Sequence, residues 1–115
     1  CLISIYIDIV WASPPCTEYS KAKTRGIRDI EGANKIVKKT LEIINYFDCK
    51  YYFIENPQTS LLKNQLFMQD LPFVDGDYCM YGFPYRKRTR FWTNIYKLFI
   101  KELKLLSFFH FFLKD

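Results

Sequence analysis

Ile3, Ile5, Ile7 and Ile9 alternate with Ser4, Tyr6 and Asp8 near the start of the chain. A period of two with β-branched residues suits a pleated surface, and predicts a strand over about 2–11. Across Ser13 to Arg28 the period disappears: Pro14, Pro15, Gly26 and a run of charged residues predict a loop over one end of a sheet. Beyond Asp29, a candidate N-cap, Ile30, Ala33, Val37, Leu41 and Ile44 recur at spacings of three and four, while Lys35, Lys38, Lys39 and Glu42 fall elsewhere. That pattern predicts an amphipathic helix over 30–46. The apolar run Tyr51 to Ile54, between Lys50 and Glu55-Asn56-Pro57, predicts a strand covered on both faces.

Strand, helix and strand in that order form a βαβ unit, whose crossover brings the carboxyl ends of two parallel strands to one edge of the sheet. Cys16 and Glu55 are then expected at the same crevice, where open α/β sheets bind their ligands. The segment Pro57 to Pro72 reads as a loop with a short helix. The stretch Asp77 to Asn94 reads as two strands joined around Gly82, Phe83 and Pro84. In the second of these strands the period of two groups Arg86, Arg88 and Arg90 on one face, with Lys87 and Thr89 on the other. Three guanidinium groups in a row require anions.

At 115 residues and half apolar, the chain is expected to form at most one compact domain with a core that needs no disulfide. Its start on Cys1, almost directly in a strand, is expected of part of something longer, and the lack of a leader pattern points to an intracellular protein, cytoplasmic, nuclear or virus-encoded. Cys1, Cys16, Cys49 and Cys79 include no CxxC pair and no neighbouring His, so free thiols are expected, with no zinc site and no disulfide framework. A net charge of +5 favours a polyanionic partner. In the tail, 95–115, the longest uninterrupted apolar stretch, Leu105 to Leu113, is far shorter than the ~20 residues a membrane span needs, and is expected to be helical. His110, among phenylalanines, is assigned no role.

Three stretches together resemble the cytosine-5 DNA methyltransferase family: Asp8-Ile-Val-Trp-Ala-Ser-Pro-Pro-Cys-Thr-Glu-Tyr-Ser20, Phe53-Ile-Glu-Asn-Pro-Gln-Thr59 and Tyr81-Gly-Phe-Pro-Tyr-Arg-Lys-Arg-Thr-Arg-Phe-Trp92. They look like the family's Pro-Cys nucleophile loop, its Glu-Asn pair and its arginine-alternating strand, in order, over about residues 8–94. The resemblance implies a partial Rossmann-like, S-adenosylmethionine-dependent α/β fold with an incomplete sheet, residues 1–94 forming part of the catalytic domain. It implies Cys16 as the thiolate that adds to cytosine C6, and Glu55 as the carboxyl group that supports charge at N3. Asn56 would hold the loop, with Pro15 beside the substrate. Arg88 and Arg90 match the arginines that hold the pyrimidine edge, the backbone and the catalytic loop. Arg86 stands where many members have Gln. DNA as partner, base flipping and S-adenosylmethionine as methyl donor follow from the same resemblance.

Departures from the family pattern accompany the matches. The upstream glycine-rich turn and the acidic residue that bind the donor are missing, so the cofactor-binding residues are unknown. A second proline, Thr17 in place of Gln, and Pro57 suggest a viral or phage-like branch. Amino-methyltransferases that use (Asp/Asn/Ser)-Pro-Pro-(Tyr/Phe) place an aromatic ring where this chain has Cys16, and nucleophilic chemistry fits better. Two other readings stay open: a DNA-binding remnant that keeps only the basic strand, and a subunit that completes a split methyltransferase with a second chain. By residue type alone, Cys49 and Cys79 read as buried small hydrophobes, and an arginine run as a solvated face.

Overall fold

A computed structural model describes residues 6–95. Among these residues four strands, β1 (Ile9–Ala12), β2 (Tyr51–Pro57), β3 (Phe73–Asp77) and β4 (Arg88–Thr93), form one mixed sheet in the order β1-β2-β4-β3, with one α-helix, α1 (Ile30–Phe47). The fold is mixed α/β.

The βαβ unit forms as the hydrophobic pattern predicts: β1 and β2 pair in parallel, Ile9 opposite Tyr51 and Ala12 opposite Ile54. Asp29 caps α1, its Oδ1 accepting from the amide of Gly32 at 2.9 Å. Asp48 ends the helix in a left-handed conformation, φ 46°. One stripe of α1, including Ala33, Val37 and Ile44, packs with Ile54, Leu62, Met68 and Trp92 on one face of the sheet. On the opposite face Phe53, Val74, Tyr78, Phe83, Phe91 and Ile95 form a second cluster, with Trp11 against it. Adjacent β2 residues Phe53 and Ile54 thus enter different clusters, so the strand is covered on both faces as expected.

Several boundaries differ from the sequence expectation. The first strand begins at Ile9, not near residue 2; residues 1–5 lie outside the described part, and 6–8 are not strand. The ladder cannot extend backwards because β2, its partner, starts only at Tyr51, whose amide closes the last bond to the Asp8 carbonyl. β2 runs three residues further than expected, so Glu55 and Asn56 lie inside a strand. The short helix expected after Pro57 is replaced by two 3-10 turns, Leu61–Asn64 and Leu66–Met68. The strand expected from Asp77 onward is a 3-10 turn at Tyr78–Tyr81, and the strand itself lies earlier, at Phe73–Asp77. Its antiparallel register with β4, Asp75 opposite Arg90 and Asp77 opposite Arg88, leaves Arg86 before the strand. The helical tail expected from 95 onward lies outside the described residues beyond Ile95. Among the described residues no helix is long and apolar enough to cross a membrane.

Candidate active site

The chain leaves β1 and β2 side by side, because the two strands run parallel and in register at their ends. Prolines have no amide hydrogen, so Pro14 and Pro15 cannot continue the ladder after Ala12. The chain turns there, and the carbonyl of Pro14 accepts a hydrogen bond from Asn56 Nδ2 at 3.1 Å. This bond ties the Pro-Pro-Cys loop to the end of β2. Pro14 is buried and Pro15 exposed. Cys16, half-buried, starts a 3-10 turn, Thr17–Tyr19, closed by the Tyr19 amide on the Cys16 carbonyl at 3.0 Å.

The rest of the loop is braced. Tyr19 is fully buried, and its hydroxyl donates to Asn34 Oδ1 of α1 at 2.7 Å; burial pushes its phenol up to about 12. Asn34 Nδ2 donates in turn to Gln65 Oε1 at 3.0 Å. The Glu18 carboxylate accepts from Lys23 Nζ and from the Asp29 amide, and these bonds hold it below its ordinary value. Arg28 donates to the carbonyls of Glu18, Ser20 and Lys23. Glu18, Tyr19, Lys23 and Arg28 are site-supporting residues that the sequence reading missed. Their partners lie five to fifteen residues away, across an aperiodic loop and the start of α1, and give no pattern that periodicity detects.

Side-chain alternation sends Glu55 to the sheet face of Phe53, and Asn56 to that of Ile54. Glu55 is 8% exposed. Its Oε1 lies 3.4 Å from the Tyr78 hydroxyl and 3.8 Å from Lys87 Nζ. Burial, reinforced by the charge of Glu55, raises the Tyr78 phenol above its ordinary value. Asn56 is 1% exposed, and its Oδ1 is the one buried side-chain oxygen without a partner among the described residues.

Two of the three arginines find their anions on β3. Arg90 makes a forked pair with Asp75, Nε to Oδ1 at 2.7 Å and Nη2 to Oδ2 at 2.9 Å, and its guanidinium stacks 3.8 Å from the centre of the Phe73 ring. Arg86 Nε meets Asp77 Oδ2 at 2.7 Å. The side chain of Arg88 is exposed and forms no ion pair among the described residues. A cleft of about 590 Å³ opens here, lined in part by Gln58, Asp77, Cys79, Arg86 and Arg88. Neither Cys16 nor Glu55 lines it, so this cleft is apart from the thiol and the carboxyl group. The structure thus brings Asn56 onto the Cys16 loop. It joins none of Arg86, Arg88 and Arg90 to Cys16, Glu55 or Asn56 by a side-chain hydrogen bond among the described residues.

The three described cysteines are free thiols. Cys49 is half-buried against the α1 cluster, and desolvation raises its thiol above the ordinary value. Cys79 is exposed, where burial was the expectation. It sits at the surface because the chain turns through a 3-10 segment there and does not run on as a strand. No group of three His, Cys, Asp or Glu side chains that could hold a metal ion occurs among the described residues.

No family model matches the chain. A curated relative, the probable DNA (cytosine-5)-methyltransferase of Frog virus 3 (isolate Goorha), is 37% identical over 76% of this chain and 46% of its own length. The chain therefore spans less than half the length of the relative it matches.

Proposed function

The chain belongs to the cytosine-5 DNA methyltransferase family, and from that premise we propose that it carries the nucleophile side of a DNA cytosine-5 methyltransferase, in part of a Rossmann-like fold. Residues 1–94 are the proposed part of the catalytic domain, and Ile95, the first residue of the expected tail, packs in its second cluster. The observation that carries this reading is the Asn56–Pro14 bond, which couples the loop of Cys16 to the strand of Glu55 at the shared carboxyl edge of two parallel strands.

Cytosine C5 is a poor nucleophile until the ring is activated. The Cys16 thiolate supplies the activation by adding to C6. As the S–C6 bond forms, the C5=C6 π pair moves to C4–C5, and the C4=N3 π pair moves to N3, which takes the proton of Glu55. The product is an enamine with electron density at C5. Once C5 has taken the methyl group of a bound donor and N3 has returned its proton to Glu55, loss of the C5 proton to water and departure of the Cys16 thiolate re-form the C5=C6 bond. Pro15, the exposed neighbour of Cys16, lies against the substrate. Arg88, exposed and without an ion pair among the described residues, contacts the DNA backbone beside the target base, and Arg86 supports it from the same cleft. Arg90, held by Asp75, acts through the strand. The target base must leave the duplex to reach the thiol.

S-adenosylmethionine is the proposed methyl donor, and it supplies the transferred methyl group when bound. Among the described residues no strand leads into a glycine-rich turn, and neither the cleft beside the arginines nor the one on the outer face of α1 is lined by Cys16 or Glu55. These residues do not fit the donor by themselves, and a second chain or segment is the proposed source of its binding site. Nucleoside mass analysis of DNA treated with the full chain, the donor and any complementing half tests the proposal. Formation of 5-methylcytosine, lost in Cys16→Ser, is expected. DNA binding by both the unaltered chain and Cys16→Ser, with no 5-methylcytosine from either, would instead favour a binding remnant that uses Arg88.

A further inference from the structure

A carboxylate as deeply placed as Glu55 is costly unless donors or a cation meet it. Both groups that meet it come from one short stretch, Tyr78 and Lys87, and both meet the same oxygen, Oε1. Oε2 has no hydrogen bond among the described residues. Tyr78 is 2% exposed and packs in the cluster of Phe53, Phe83 and Phe91. Lys87 lies half-exposed, its Nζ 4.8 Å from the centre of the Tyr78 ring, so one cation serves the ring face and the carboxylate together.

The two residues are also fixed to each other. The Tyr78 amide donates to the Lys87 carbonyl at 3.2 Å, and the Lys87 amide donates to Asp77 Oδ1 at 2.9 Å. Their approach to Oε1 is therefore built into the backbone between β3 and β4, before any substrate arrives. Such preorganised donors are most effective where charge develops during a reaction.

Resting on the function proposed above, we propose that Tyr78 and Lys87 are positioning residues that anchor Glu55 by Oε1, reserve Oε2 for N3 of the flipped pyrimidine, and stabilise the carboxylate left when the proton moves to N3. A carboxyl group anchored on one oxygen carries its transferable proton on the other. Lys87 Nζ lies 3.8 Å from Oε1, where the anion left by the transfer stands.

The test is the rate of Cys16 adduct formation by the full chain on DNA containing 5-azacytosine. Tyr78→Phe and Lys87→Met are each expected to slow the adduct at saturating DNA roughly tenfold, the equivalent of one hydrogen bond to a charged group. The DNA concentration for half-saturation should stay unchanged, and Lys87→Arg should restore most of the rate. A raised half-saturation point with an unchanged rate would overturn the proposal and make Lys87 a contact to the DNA backbone. Unchanged rates in both variants would overturn it too. If the unaltered chain forms no adduct even with any complementing half, the proposed function fails, and the anchoring is judged separately by the ¹³C resonance of the Glu55 carboxyl carbon. That resonance should move in both variants, and a stationary signal would refute the anchoring.

Discussion

Asn56 holds the two halves of the candidate site together with half of its hydrogen-bonding capacity. Its Nδ2 serves the Pro14 carbonyl, while its buried Oδ1 has no partner among the described residues. Asn56→Ala removes a needed donor and an unsatisfied acceptor at once, so its cost should be small, about 1 kcal/mol in chemical denaturation. Asn56→Asp places an acceptor against the Pro14 carbonyl and should cost more, despite its nearly identical shape. Equal costs would mean that the bond to Pro14 contributes little. At this scale the sequence draws attention to a residue type that is rare in its setting, as with a cysteine after two prolines or an acid inside an apolar strand. It was silent about Tyr78, Lys87, Asp75 and Asp77, because common residues gain their roles only from partners brought by tertiary structure.

Among the elements, α1 was readable almost to the residue, since the cap and the apolar spacing are local properties. The cap also makes a test. A Cβ on Gly32 would collide with the Asp29 carboxylate, which already bonds the Gly32 amide. Gly32→Ala gains about 1 kcal/mol of helix propensity and loses a cap of about the same size, so it should be nearly neutral. In an Asp29→Ala background the same change should show its full gain of about 1 kcal/mol in denaturation midpoints; identical effects in both backgrounds would remove the cap from the account. The β3–β4 pair was poorly readable. Ten residues separate the strands, including a 3-10 turn, and period-two patterning cannot reveal a register set across such a connection. That register is what delivers Asp75 to Arg90. Arg90→Lys keeps the charge but loses the fork and the stacking on Phe73, and should destabilise the chain by about 1–3 kcal/mol. No loss in a urea titration would show the fork to be incidental.

For the whole molecule, stability should depend on acidity in a defined direction. Asp77 is lowered from 3.8, since the hydrogen bonds from Arg86 and the Lys87 amide outweigh the opposing effect of burial; Glu18 is lowered from 4.5 by Lys23 and the Asp29 amide. Both hold fewer protons folded than unfolded in the intervening range. Their stabilisation is complete above the unfolded values and is lost as pH falls through the lowered, folded ones. The melting temperature should thus be level from neutral pH to about 5 and drop below about 4, less steeply in a Glu18→Gln, Asp77→Asn double variant. An equally steep drop in the variant would exclude these two groups as the cause. The most direct measurement is peptide-mapped mass spectrometry of the full chain after incubation with 5-fluorocytosine DNA, the methyl donor and any complementing half. The account predicts a nucleotide adduct on the peptide containing Cys16, absent from Cys16→Ser; a folded, complemented protein with no adduct, or with one on Cys79 instead, would contradict it.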